Sequence, residues 1–158
     1  MPQREQRVNG NELLDSNSVP MAPFRKVFAA ARTLTADDNG ATCLFNLAAG
    51  FTYTLPAAQP GLFFRFAVTT TATSLVHRIA CTSGDFMLGT ILQIIDTTFA
   101  PTARTANGTT HLAWEGDGST TGGIIGDMLE FYAISDTQWA VTGINTATGS
   151  EATPFKTT

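Results

Sequence analysis

The sequence predicts an all-β fold: a single antiparallel β-sandwich or barrel domain that carries an extended N-terminal arm. Segments such as 51–55 and 62–68 alternate between the two faces of a strand, which is the period of a half-buried strand. Turn signals recur about every 8–12 residues, as is typical of sandwiches and barrels. No βαβ pattern is present, and this argues against the usual nucleotide-binding folds.

The chain divides into three parts. Residues 1–30 are polar, with an Asn-Gly pair, prolines and few apolar anchors, and this composition predicts an extended arm. Residues 31–146 carry the strand and turn pattern and form the body, and residues 147–158 are expected to be a C-terminal tail. The stretch 27–34 fits either two helical turns or the approach to the first strand, and the sequence leaves both open.

Eight to ten short strands are expected in the body. Strong hairpin signals stand at 37–40, where the sequence is DDNG, and again at Asn107 and Gly108. Residues 96–112 predict a long, irregular connection. Residues 116–123 (GDGSTTGG) predict a mobile loop, because they lack both the GKS/T motif and the following helix of a phosphate-binding loop.

The chain carries few charged residues, and they are unevenly distributed. The net charge is −4, which argues against a protein that binds nucleic acid by neutralising phosphates. Charged residues make up 14% of the chain, below the typical quarter, and Thr makes up about a sixth. This composition fits either a neutral β-sheet surface or a surface buried against partners. Five of the nine basic residues stand in the first 32 positions: Arg4, Arg7, Arg25, Lys26 and Arg32.

Two adjacent aromatic pairs, Phe63-Phe64 and Phe131-Tyr132, predict an oligomer. Neighbouring residues of a strand point to opposite faces, so one member of each pair must point away from a single core. We therefore expect a second sheet or another subunit to cover the outward members.

The residues that bear chemistry do not form a catalytic set. Cys43 and Cys81 have no metal-ligand spacing and lie in apolar strand patterns, which favours buried thiols. His77 fits a core position, whereas His111 could line a ligand site with Trp114 and Asp117. We expect no enzyme activity, no cofactor and no metal. The start has no apolar core of a secretory signal, and no run of 18 apolar residues predicts a membrane helix.

Three stretches carry a resemblance to a known family: LTADDNGATCLFNLAAGFTYTLPAAQPGLFFRFAV, GDGSTTGG and GDMLEFYAISDTQWAVTG. This arrangement, over about residues 33–143, resembles the capsid decoration (cement) proteins of tailed phages and related head or tail modules. The resemblance implies a β-tulip or jelly-roll style body, a homotrimer and a place on the capsid surface of the virion. It also implies synthesis in the host cytoplasm and the major capsid protein as the partner.

The function expected from this resemblance is structural: the protein would clamp neighbouring capsid subunits against the pressure of packaged DNA. The arm is expected to make the partner contacts, through Arg4, Arg7, Leu13, Leu14, Arg25 and Lys26. Two alternatives stay open, a fibre or tail domain and a carbohydrate- or ligand-binding β-sandwich. No partnership with nucleic acid or membrane is expected.

Overall fold

The computed structural model describes residues 7–8, 12–13, 26–96 and 98–158. In these residues the chain forms short strands and one 3-10 turn, η1 (Ala36–Asp38). The strands are β1 (Arg7–Val8), β2 (Glu12–Leu13), β3 (Val27–Phe28), β4 (Arg32–Thr33), β5 (Thr42–Phe45), β6 (Thr52–Thr54), β7 (Phe63–Val68), β8 (His77–Ala80), β9 (Phe86–Ile95), β10 (Pro101–Asn107), β11 (Ala113–Gly116), β12 (Met128–Ala133), β13 (Gln138–Ala147) and β14 (Phe155–Lys156).

Two sheets make up the body, and this confirms the predicted all-β sandwich. The larger sheet has seven strands in the order β10-β9-β13-β12-β7-β5-β3. The smaller sheet has five strands in the order β14-β11-β8-β6-β4, while β1 and β2 pair with each other.

The strand pairing is mixed, so the expectation of antiparallel sheets was wrong for part of the fold. Successive strands from β3 to β8 alternate between the two sheets. Neighbours within one sheet are therefore next-but-one in the chain, and they run in the same direction: β3-β5-β7 in the larger sheet and β4-β6-β8 in the smaller. Turn signals mark where a strand ends but do not say to which sheet the next one goes.

The core lies between the sheets, and its largest side chains are mostly aromatic. Phe45 stands at its centre, with ring centroids 5.2 Å from Tyr53, 4.6 Å from His77 and 6.3 Å from Phe66. The contact with Tyr53 is edge-on and those with His77 and Phe66 are stacked, and ring pairs in such arrangements add to the energy of burial. The largest side chains that are fully buried include Trp114, Trp139, Tyr53, Phe45, Phe64, Phe66 and Phe131.

Two segments are more regular than expected. Seven residues of the irregular connection predicted at 96–112 form strand β10, which starts at Pro101 on the edge of the larger sheet, where proline is tolerated. The predicted tail also contributes to the fold, because β13 extends to Ala147 and β14 pairs with β11. Phe155 is buried in the core, and the guanidinium of Arg78 donates to the carbonyl oxygen of Thr158.

The GDGSTTGG segment forms an anchored turn, which differs from the mobile loop that we expected. The Asp117 carboxylate accepts the backbone N–H groups of Ser119 and Thr121 and the hydroxyl of Thr120, at 2.8–3.0 Å. These bonds hold the pKa of Asp117 below its usual value although burial acts in the opposite direction. Gly122, at φ +98°, lies against Asn145 so closely that a Cβ would come within 2.2 Å of the amide nitrogen.

Much of the expected arm, residues 1–30, lies outside the described residues. Where the description resumes, the stretch 27–34 contains two short strands and no helical turn. β3 joins the larger sheet and β4 joins the smaller, so this stretch leads into both layers of the body.

Candidate functional site

A row of apolar side chains crosses the outward side of the larger sheet. The strand register aligns one residue from each of six neighbouring strands, and none of the six is polar. In order across the sheet they are Leu44, Ala67, Met128, Ile144, Leu92 and Ala103. We call the outward side of β5, β7, β12, β13, β9 and β10 the outer face.

The central members of this row are strongly exposed. Met128 is 50% exposed, Ile144 54% and Leu92 45%. Their chain neighbours Leu129 and Ile91 are buried, because successive residues of a strand point to opposite sides. If a partner covered the exposed half of each of these side chains, the burial would contribute about 1 kcal/mol per side chain to binding.

A second row brings the two predicted aromatic pairs together. Phe63 and Tyr132 occupy facing positions on β7 and β12, and their rings stack with centroids 4.7 Å apart on the outer face. Phe64 and Phe131 point into the core and are fully buried. The inference that one member of each pair points away from the core is therefore confirmed.

The charges between these two rows are paired within the face. Arg65 Nε donates to Glu130 Oε1 at 2.9 Å, and the Tyr132 hydroxyl donates to Glu130 Oε2 at 2.8 Å. The Tyr132 bond first, and then Arg65, lower the pKa of Glu130, while partial burial opposes them. Arg65 and Glu130 belong to a third row of aligned residues, which lies between the first two. The other members of this third row are all threonines: Thr42, Thr142, Thr90 and Thr105.

A shallow depression lies in the middle of the outer face. Its volume is about 420 Å³, and its lining includes Met128, Glu130, Thr142 and Ile144. Because β12 and β13 are the central strands of the six, this depression marks the centre of the apolar surface.

The outward side of the smaller sheet is polar, unlike the outer face of the larger sheet. Glu115, Arg78 and Thr52 are aligned across β11, β8 and β6, and Glu115 forms an ion pair with Arg78. The next row contains Lys156, Thr54 and small alanines. This is the composition of a solvent-facing sheet, so the apolar outer face is specific to the larger sheet.

Of the six predicted partner contacts, only the side chain of Lys26 is described. The side chains of Arg4, Arg7, Leu13, Leu14 and Arg25 lie outside the described residues. The Lys26 ammonium contacts its own chain, where it donates to the carbonyl oxygen of Asp37 and to Asp38 Oδ1.

Asp38 organises this start of the body. Its carboxylate is 3% exposed and accepts bonds from Lys26, Arg32 and the backbone N–H of Thr35. Burial acts to raise its pKa, but these bonds, together with one from the Thr35 hydroxyl, outweigh burial and hold the pKa below the usual value.

The possible ligand set of Trp114, His111 and Asp117 is not brought together at an open site. Trp114 is fully buried in the core, so its ring offers no platform to a ligand. His111 Nδ1 accepts the backbone N–H of Asn107, and the Asp117 carboxylate is occupied in its turn. A groove of about 440 Å³ does run past Asp117, lined also by Phe51, Leu75 and Val76, and the sequence did not indicate it.

Cys43 and His77 are buried in the core, as we expected, whereas Cys81 is only partly buried and packs against the core. Burial raises the pKa values of Cys43 and Cys81 to about 12, which leaves both thiols protonated at neutral pH. His77 is fully buried with Nε2 2.8 Å from the carbonyl oxygen of Thr70, and burial lowers its pKa.

Within the part of the chain that the structure describes, no group of three or more His, Cys, Asp or Glu residues could hold a metal ion. Over the same residues, no helix is long and apolar enough to cross a membrane. Comparisons of this chain with family models, with curated proteins and with solved structures give no match.

Proposed function

We propose that this protein is a structural component of a larger assembly, and that it acts by packing rather than by catalysis. One observation carries the proposal: the six-strand apolar row on the outer face. Large exposed apolar surfaces on otherwise polar proteins mark sites of protein interaction. The smaller sheet of the same molecule shows what a solvent-facing sheet of this chain looks like, and the outer face departs from it.

In its most specific form, the proposal is that the chain decorates the capsid of a tailed phage and joins neighbouring major capsid subunits. The motifs over 33–143 support this form, because they resemble decoration proteins. A sandwich with an aromatic core is stiff enough for such a role, since interiors packed this closely deform little.

The arm would supply the contacts to the capsid. Its basic residues Arg4, Arg7 and Arg25 suit an acidic neighbour, and Leu13 and Leu14 suit an apolar groove. Lys26 is paired with Asp38, so we expect it to anchor the arm to the body and not to contact the partner directly.

The test is co-sedimentation of the full chain with purified heads that lack it, assembled from the major capsid protein of the same phage. We expect saturable binding, and we expect deletion of residues 1–22 to weaken it while the body stays folded. That deletion spares Lys26 and Arg32. Absence of binding by the full chain would overturn the capsid proposal, and specific glycan binding would favour the carbohydrate-binding alternative.

A further inference from the structure

We infer that the outer face is covered by a second copy of this chain, with the two outer faces packed against each other about a two-fold axis. The inference of a dimer rests on the proposed function, because both require that the protein works in an assembly. The inference adds which molecule covers the outer face. It differs from the homotrimer that the family resemblance implies.

The size of the face suits a stable dimer. Six strands at a spacing of about 4.8 Å make it about 24 Å wide, and the outward residues of β9 from Leu88 to Ile94 add a length of about 20 Å. The flat footprint is therefore about 500 Å², before the relief of the side chains is counted. Its accessible surface is of the order of the roughly 800 Å² per partner that standard interfaces bury.

The charge of the face suits a partner that is equally neutral. The described charged side chains near its centre, Arg65 and Glu130, compensate each other, and Tyr132 occupies the second carboxylate oxygen. A buried ion pair is tolerated when its charges and hydrogen bonds are satisfied, so the face needs no opposite charge from its partner. A charged partner surface would lose solvation here and gain no counter-charge.

A second copy meets both requirements at once. In a two-fold interface the same patch is used on both subunits, so the apolar rows of one outer face meet the apolar rows of the other. A ring of three would instead need a second, different surface on each chain. The outward side of the smaller sheet, with Arg78, Glu115 and Lys156, is charged, and exposed apolar side chains such as Leu75 and Ile125 lie on connections between strands.

The experiment is the solution mass of the full chain alone, by light scattering after size exclusion over a range of concentrations. We expect twice the chain mass of 16.8 kDa. Ile144→Glu, at the centre of the face, should raise the dimer dissociation constant at least about tenfold, because it places an unpaired charge in the buried centre of the interface. Leu75→Glu is the matched control: Leu75 is 68% exposed and lies outside the outer face, and this variant should stay dimeric.

A second readout separates loss of association from loss of folding. The melting temperature of the wild type should rise with protein concentration, as it does for proteins stabilised by self-association. The melting temperature of Ile144→Glu, if this variant folds as a monomer, should not depend on protein concentration. A wild type that is monomeric or trimeric, or a dimer that tolerates Ile144→Glu, would overturn the inference. Because no heads are present, these results are independent of the capsid test: a monomer that still binds heads would leave the proposed function in place.

Discussion

Phe63 and Tyr132 stack with their ring centroids 4.7 Å apart on the exposed side of the larger sheet, directly across two antiparallel strands. Their chain neighbours Phe64 and Phe131 lie on the other side of the same sheet and fill the core. Two strands therefore carry aromatic residues on both sides. A sheet that faced only water on its outer side would not need them, and this is why the outer face is the centre of our functional proposal.

Tyr132→Phe should leave the stacked rings in place and raise the pKa of Glu130. The tyrosine hydroxyl donates to Glu130 Oε2 and is the largest cause of the lowered pKa of that carboxyl group. Without this bond the ionised form loses a donor, so the carboxyl group should hold its proton to higher pH. The measurement is an NMR titration of the Glu130 side chain in both proteins. Phe63→Leu is the control, since it alters the stack but keeps the hydroxyl, and an unchanged pKa in Tyr132→Phe would contradict the bond.

Asp127 should make the protein less stable as the pH rises through about 6. Burial raises the pKa of this carboxyl group to about 6, above its value of 3.8 in an unfolded chain, although the N–H groups of Thr146, Ile124 and Gly123 act in the opposite direction. The folded state therefore binds the proton more tightly. The resulting stability is complete below about pH 3.8 and is lost as the pH rises through about 6.

The measurement is the free energy of unfolding in urea from pH 3.5 to 7.5, for the wild type and Asp127→Asn. The other carboxylates affect both proteins alike. The difference between the two plots of unfolding free energy against pH therefore reports the contribution of Asp127. We expect the wild type to lose about 1–3 kcal/mol relative to the variant across this range. Asp136→Asn, at an exposed turn, serves as the control. Parallel curves for Asp127→Asn and the wild type would show that the carboxylate is not perturbed.

Gly122→Ala should destabilise the fold more than Gly126→Ala. Both glycines have positive φ, +98° and +101°, so both substitutions carry the same backbone strain. At Gly122 the new Cβ also meets the Asn145 amide, whereas at Gly126 nothing lies within 4 Å. We expect an additional loss of about 1–3 kcal/mol at Gly122, measured by urea unfolding. Equal losses would mean that the GDGSTTGG turn is not packed on Asn145.

Phe155→Ala should cost about 3–5 kcal/mol of unfolding free energy, because it empties a buried position in the core. Lys156→Ala, one residue further along the same strand, should cost less than about 1 kcal/mol. The pair of variants, compared by thermal or urea unfolding, tests whether the C-terminal strand is part of the body. A mild effect of Phe155→Ala would restore the picture of a tail.

The strand candidates could be recognised from the sequence because their evidence is local. The alternation in 51–55 and 62–68 reflects one buried and one outward side, and it appears in β6 and β7 as alternating burial. By contrast, β10 was missed because Pro101 and the small residues around it weaken the strand signal. The reason the strand forms is its pairing with β9.

The candidate site could be predicted only in part. The aromatic pairs indicated that one side of two strands would be apolar and exposed, and Phe63 and Tyr132 are there. Met128, Ile144 and Leu92 gave no such signal, since isolated apolar residues in three separate strands do not reveal that they are aligned. The reading of Trp114 as a ligand platform was wrong, because an aromatic residue in a strand is compatible with either side of the sheet.

By itself, the sequence determined the class of the fold, the positions of most strands and the exposure of one residue in each aromatic pair. These properties follow from the two-residue period of a strand and from turn chemistry, which act over a few residues. Only the tertiary structure decided which strands are neighbours, that β3 to β8 alternate between sheets, and that six apolar side chains form one row. Strand pairing joins residues that are far apart in the chain, so the pattern within any one strand contains no record of the strand that will lie beside it.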